Sequence, residues 1–194
     1  MCSRFEVNAS SRDLTRRYGF NDIPTDFTTG EVRPTNPALM IAAGGPRVMR
    51  WGLRVDWNNK PLINARGETL AEKSTFRPLL KNRCLVLATA YFEWRRDEGR
   101  KIKTRIHNIS GDLFATAGLT DGDNFTIVTV APAAAIAQIH SRMPVIIDAN
   151  SEASWLDPDL EFTAAVNGLA PASDDRLGWH DADPPSRQKN YLIG

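Results

Sequence analysis

The order of apolar and polar positions changes character along the chain. Arg4 to Val7 reads as an extended start, and Ser11 to Tyr18 carries charged turns between an N-cap candidate and Gly19, which predicts a short helix. Pro24, Pro34 and Pro37 then punctuate a loop. Ala38 to Ala42 and Arg47 to Leu53 predict paired strands about the turn signal Gly44-Gly45-Pro46. Glu68 to Leu80 has helical character until Pro78 disturbs it. From Cys84 onward strands are predicted in quick succession: Cys84 to Ala88, Tyr91 to Arg95, Lys101 to His107 with clear alternation, Leu113 to Leu119, and Phe125 to Val130. The turns between them are Asp97-Glu98-Gly99, Ser110-Gly111-Asp112 and Asp121-Gly122-Asp123. Pro132 suits the first turn of a helix running to about Ile139, a strand follows at Pro144 to Ile147, and another helix starts near Asn150 or Ser151. The tail from Gly178 to Gly194, with Pro184-Pro185, reads as loop with a short docked end. Many short antiparallel strands with few helices predict an α+β fold, mostly β, built on a curled sheet or barrel.

Size and composition narrow this picture. The 194 residues suit one domain spanning 1–194, and 42% hydrophobic with 24% charged residues is ordinary globular usage that argues against disorder. A formal charge of +1 exerts no global pull on nucleic acid, so any basic surface is local. Arg47, Arg50 and Arg54 form one cluster, and Arg95, Arg96, Arg100, Lys101, Lys103 and Arg105 form another that reads as a solvated hairpin. The first 30 residues carry Arg4, Glu6, Arg12, Asp13, Arg16 and Arg17 with no apolar run between them, and no stretch approaches a membrane span. A cytoplasmic location with no membrane partner is expected. Two cysteines are too few for a disulfide framework; Cys84 opens an apolar run and reads as core. His107, His140 and His180 lie far apart with no metal-ligand spacing, so neither a metal nor a cofactor is expected.

Cys2 changes the picture most. Cys is small enough for the preceding Met1 to be removed efficiently, and its thiol and new α-amine then share one carbon. Such a 1,2-aminothiol has an amine of pKa roughly 8 and a thiol of roughly 8.5, each partly reactive near neutral pH. Against an aldehyde the amine can condense to a Schiff base and the thiol can close a thiazolidine; against an amide the thiol alone would attack. Three further segments place polar residues where apolar ones are expected. Asn64, Arg66 and Glu68 alternate after an apolar strand end, either as one functional face or as a surface ion pair beside a turn. Glu93 sits among Tyr91, Phe92 and Trp94, either buried with a raised pKa or facing water. His140 ends an apolar helix before Pro144, as a capping residue or as an acid or base.

In order along the chain, Cys2 with Arg4-Phe5, Trp51-Gly52-Leu53, Ile63-Asn64-Ala65-Arg66 with Glu68-Thr69, Phe92-Glu93-Trp94, and Ile139-His140 with Arg142-Met143-Pro144 resemble the SOS response-associated peptidase family, SRAP. The resemblance spans roughly residues 1 to 147 and weakens through Trp155-Leu156 to the end. It implies a compact, mostly β fold and a sensor of abasic sites in single-stranded DNA that captures the lesion as a covalent crosslink. An abasic deoxyribose opens to an aldehyde, the common DNA lesion that a 1,2-aminothiol should trap. By the same resemblance Cys2 is the nucleophile, Asn64 holds it, Glu93 shuttles protons, and His140 assists ring opening. Arg4, Arg66 and Arg142 would bind phosphates, and Trp57 would stack on a base or wedge the strand. The family name further implies that the protein removes its own Met1. The chain departs from the family at Ser3, where Gly is usual, at Val32-Arg33-Pro34-Thr35-Asn36-Pro37, at Ala88-Thr89-Ala90-Tyr91, and at Ser141.

The resulting expectation is an abasic-site sensor in the DNA damage response, monomeric and nucleoid-associated. Two alternatives belong to other classes. An N-terminal-nucleophile amidohydrolase would need two sheets sandwiched between helices, and a non-covalent single-strand binding module would be indifferent to Cys2→Ala.

Overall fold

A computed structural model of the chain describes residues 2–167 and 176–182. It begins with strand β1 (Arg4–Val7) and helix α1 (Ser11–Tyr18), whose capping box is closed by Ser10 and Asp13 and whose end is Gly19 at φ 74°. There follow β2 (Gly30–Val32), β3 (Pro37–Ala42), β4 (Gly45–Trp51), a hairpin of β5 (Leu53–Val55) and β6 (Asn58–Leu62), and β7 (Asn64–Arg66). Five longer strands come next: β8 (Arg83–Ala88), β9 (Ala90–Asp97), β10 (Arg100–Asn108), β11 (Phe114–Thr120) and β12 (Asn124–Val130). The remainder is α2 (Ala134–Ala137), β13 (Met143–Pro144), β14 (Ile146–Ile147), α3 (Glu152–Leu156), α4 (Phe162–Asn167) and β15 (Leu177–Asp181).

Strands β12, β4, β3, β8 and β11 pair in a ring, because β11 pairs back onto β12; every junction is antiparallel except β12 with β4. This closed five-stranded barrel removes the free edges that an open sheet would expose. A second sheet runs in the order β15-β10-β9-β1-β2. Alternation splits the buried residues accordingly. Met40, Trp51, Val86, Phe125 and Ile127 of the barrel join Phe5, Val7, Tyr91 and Ile106 of the second sheet in one core. Leu39, Ile41, Leu85, Ala117 and Val128 point the other way, against Leu14 of α1 and Trp155 of α3, so that face is the helix-covered outside. Inside the barrel Gly118 is obligatory, since a Cβ there would lie 2.8 Å from the Cys84 Sγ.

Arg83, 2% exposed on β8, fastens the helical layer. Its guanidinium donates to the carbonyls of Trp155 (2.6 Å), Leu80 (2.7 Å) and Leu160 (2.9 Å) and to that of Asp157. The Trp155 indole returns a bond to the Cys84 carbonyl at 2.9 Å. The carbonyls of Trp155, Asp157 and Leu160 lie at and beyond the end of α3, where backbone acceptors have no partner within the helix.

Three expectations change, and one strand appears where none was expected. The helix expected at 68–80 is two 3-10 turns, Gly67–Thr69 and Arg77–Leu79, because Thr69, Ser74, Thr75 and Pro78 favour turns and of this stretch only Leu70 is fully buried. Asn58-Asn59-Lys60-Pro61, too polar to read as a strand, pairs as β6 with β5 across the turn at Asp56 and Trp57. Residues 144–147 split into β13 and β14, which pair with β12 and β11 respectively, while Val145 bonds to Val128 and Ala117 in both. Leu177–Asp181, expected as loop from Gly178, is a full strand against β10, whereas Pro184-Pro185 lies outside the described residues.

Candidate active site

The site is assembled by Trp51. Gly52, at φ 121°, turns the chain out of β4; a Cβ there would meet Pro61 at 2.6 Å. Trp51 itself is buried between Phe5, edge-on at 5.0 Å, and Phe125, stacked at 6.4 Å. Its indole donates to the Ile63 carbonyl at 2.9 Å, and β7 runs parallel to β12 with Asn64 opposite Ile127. Asn64 is thereby fixed against the chain start: its Nδ2 donates to the Cys2 carbonyl at 2.7 Å. The Asn64 Oδ1 is buried with no hydrogen-bond partner among the described residues, an open acceptor beside Cys2.

Cys2 is 1% exposed, and its thiol donates to the Arg4 carbonyl at 3.2 Å. Burial, reinforced by the neighbouring Glu93 carboxylate, pushes the thiol well above its ordinary range, so it is held protonated. Glu93 is 2% exposed, which settles the choice between burial and solvent. Burial raises its carboxyl from 4.5 to about 7. His140 Nδ1 lies 3.6 Å from Glu93 Oε1 and 3.0 Å from the Arg142 amide that donates to it, and burial lowers its pKa from 6.5. The usual order of the two groups is therefore inverted. At about pH 7 the carboxyl still holds its proton in about half of the molecules, while most of the imidazole is neutral and able to accept one.

This inversion has a measurable consequence for stability. Because the folded pKa of Glu93 lies above its unfolded value of 4.5, the unfolded chain sheds this proton first as pH rises. The contribution of Glu93 is intact below about pH 4.5 and is lost progressively up to about pH 7. Glu93→Gln, neutral at every pH, should match the native protein in denaturant midpoint at pH 4.5 and exceed it at pH 8. Equal midpoints at both pH values would show that Glu93 ionises as freely folded as unfolded.

The arginines fare differently. Arg142 is engaged by both oxygens of Glu68, at 2.6 and 2.8 Å, and by the Thr129 carbonyl at 2.5 Å. Glu68 thus reaches across to Arg142 instead of pairing with Arg66, because the chain leaves β7 into the 3-10 turn at Gly67. Arg4 lies 3.2 Å from Glu31 and donates to the Ser3 carbonyl at 2.8 Å. Arg66 is exposed, and its side chain has no hydrogen bond or ion pair among the described residues. Trp57 stands at the tip of the β5–β6 hairpin, 68% exposed, and no hydrogen bond or ring contact ties it to the cluster. The structure brings Cys2, Asn64, Glu93 and His140 together, with Arg142 bonded to the His140 ring.

One residue escaped the sequence reading as chemistry. Tyr91, 1% exposed and in register with Phe5, has a phenol without a hydrogen-bond partner among the described residues, and both Cys2 and Glu93 act on it electrostatically. Its signal was present in the aromatic run around Glu93 but could not be separated from packing. Among the described residues no group of three or more His, Cys, Asp or Glu could hold a metal, and no helix is long and apolar enough to cross a membrane.

A closed β-barrel joined to a sheet in which a buried cysteine, just ahead of the interior strand β1, meets a Glu–His pair defines the class of protein. The chain belongs to the SOS response associated peptidase (SRAP) family, whose model matches residues 1–184. Abasic site processing protein YoqW of Bacillus subtilis (strain 168) is 34% identical over 181 residues, covering 81% of each chain. Abasic site processing protein YedK of Escherichia coli (strain K12) is 27% identical over 204 residues, 93% of this chain and 91% of its own. A crystal structure of a Bacteroides thetaiotaomicron protein superposes with a TM-score of 0.79 at 25% identity, covering 93% of this chain and 91% of that one.

Proposed function

We propose that this protein processes abasic sites in single-stranded DNA by capturing them on Cys2. The observation that carries the reading is the Asn64 bond to the Cys2 carbonyl beside the Glu93–His140 pair, in a chain whose relatives are named abasic site processing proteins. While Met1 is attached the Cys2 nitrogen is an amide, so its removal comes first, by the site itself or by a separate aminopeptidase. The α-amine then adds to the aldehyde of the ring-opened sugar. The carbinolamine loses water to give an imine. The thiol adds to the imine carbon, forming the C–S bond while its proton passes to nitrogen, and the thiazolidine closes.

The buried, protonated thiol fits this order, because it is a poor first nucleophile and the amine therefore acts first. In this reading neutral His140 takes a proton as the sugar opens, and protonated Glu93 gives one to the departing hydroxyl. Asn64 fixes the Cys2 backbone, and its open Oδ1 is an acceptor for the freed amine. Arg66 offers an unpaired cation to a phosphate, whereas Arg4 and Arg142 would exchange Glu31 and Glu68 for phosphates as the strand docks. The amidohydrolase alternative loses its basis, since the longest α-helix among the described residues has eight residues and no helical layers enclose two stacked sheets.

The test is the intact mass of the processed protein after incubation with a short abasic oligonucleotide. One adduct equal to protein plus oligonucleotide minus one water, stable without reductant, is expected. A processed chain that stays unmodified would sink the covalent reading.

A further inference from the structure

The outer face of the second sheet, turned away from the barrel, begins at the site. Arg4 on β1, whose guanidinium bonds the Ser3 carbonyl next to Cys2, shares this face with Glu6, with Phe92, Trp94 and Arg96 on β9, and with Lys101, Lys103 and Arg105 on β10. The contacts confirm the common side: Lys103 lies 4.5 Å over the Phe92 ring, Arg105 reaches Glu6 at 2.5 Å, and Arg4 and Lys103 both reach Glu31 of β2. Glu31 is the centre of an unequal cluster. Three cations, Arg4 at 3.2 Å, Arg33 at 3.4 Å and Lys103, share its one carboxylate. Arg96 and Lys101 face each other in register, both exposed and with no ion pair among the described residues. Counting Arg33, the face holds six cations against two carboxylates, Glu6 and Glu31, in a chain whose net charge is +1.

We propose that this face is a backbone track for the strand that flanks the captured lesion, with phosphates lying along Arg33, Lys103 and Lys101. The proposal rests on the single-strand reading above and extends it beyond the catalytic cluster. Three features select a nucleic-acid backbone as occupant. The charge excess is continuous from Arg4 outward, so a strand anchored at Cys2 reaches it without a gap. The cations surround a carboxylate they outnumber, so incoming phosphates find positive charge that Glu31 leaves uncompensated. Trp94, half-buried opposite Lys103, adds a ring on which a base of any identity can stack.

The experiment measures binding of an undamaged 15-residue oligo-dT by fluorescence anisotropy across salt, alongside capture of an abasic trinucleotide too short to reach the track. The triple variant Arg33→Gln, Lys101→Gln, Lys103→Gln should capture the trinucleotide at the native rate. Its log–log salt slope for oligo-dT should be shallower by about 2, since each single-strand phosphate contact contributes about 0.7. Glu31→Gln should act in the opposite sense, tightening oligo-dT several-fold at low salt. Lys101→Gln alone, at an exposed and unpaired position, should reduce the slope by about 0.7 even if the triple variant does not fold. Unchanged slopes in the lysine and arginine variants, with no tightening in Glu31→Gln, would overturn the track. Native oligo-dT binding with no capture of the abasic trinucleotide would instead sink the covalent reading and leave the track standing.

Discussion

Cys2→Ala, freed of Met1, should lose the reductant-independent DNA adduct altogether while keeping its fold. The substitution removes one sulfur from a position whose fixed atom is the backbone carbonyl bonded to Asn64, so β1 stays in place. It leaves the α-amine, and an imine can still form. Without a thiol to add to it, that imine is hydrolysed back to aldehyde and amine, so only borohydride should preserve the link. On a denaturing gel the expected result is at least a 100-fold drop in untreated adduct, on the order of what loss of a covalent nucleophile costs, with recovery of a band after reduction. A reductant-independent adduct of native yield would place the nucleophile elsewhere in the chain. No adduct even after borohydride would show that the amine does not reach the lesion.

The second large effect concerns stability. Arg83→Ala should destabilise the protein by about 3–5 kcal/mol, because it removes several charge-assisted bonds and leaves the carbonyls of Trp155 and Leu160 without a donor. In a protein of this size that corresponds to a loss of about 10 °C in Tm. Arg83→Met, which restores volume but no donor, should recover little of it. Recovery of most of the stability by Met would mean that Arg83 acts by filling space against the Trp155 ring, 5.7 Å from its guanidinium, and not by capping α3.

The sequence made the strands from Cys84 to Val130 legible because all but the first are bounded by a Gly- or Asp-rich turn and several alternate cleanly. Glu93 was legible as a candidate because a carboxylate stood in an aromatic run, although Phe92 and Trp94 turn to the opposite face of the sheet and only Tyr91 shares its side. What local pattern could not supply was pairing at a distance. Glu68 stands two residues from Arg66, yet its partner is Arg142, 74 positions away, because the backbone turns at Gly67 and takes Glu68 out of the strand. The same limit hid β15, whose Gly, Trp and His residues form a strand only because β10 offers an edge to pair with. The basic run at 95–105, read as a solvated hairpin, divides between the two faces of its sheet. Arg95 turns to Asp181 and Asp97, and Lys103 and Arg105 turn to Glu31 and Glu6.

The interior position of β1, between β2 and β9, also sets a timetable. Both its neighbours are made after it, and Tyr91, the partner of Phe5, follows 86 residues later. At roughly 10 residues per second, the start of the chain waits about 9 s during synthesis before β9 can close over it. Once β9 has docked, Cys2 is buried, so trimming ahead of it by an external enzyme would have that interval to act.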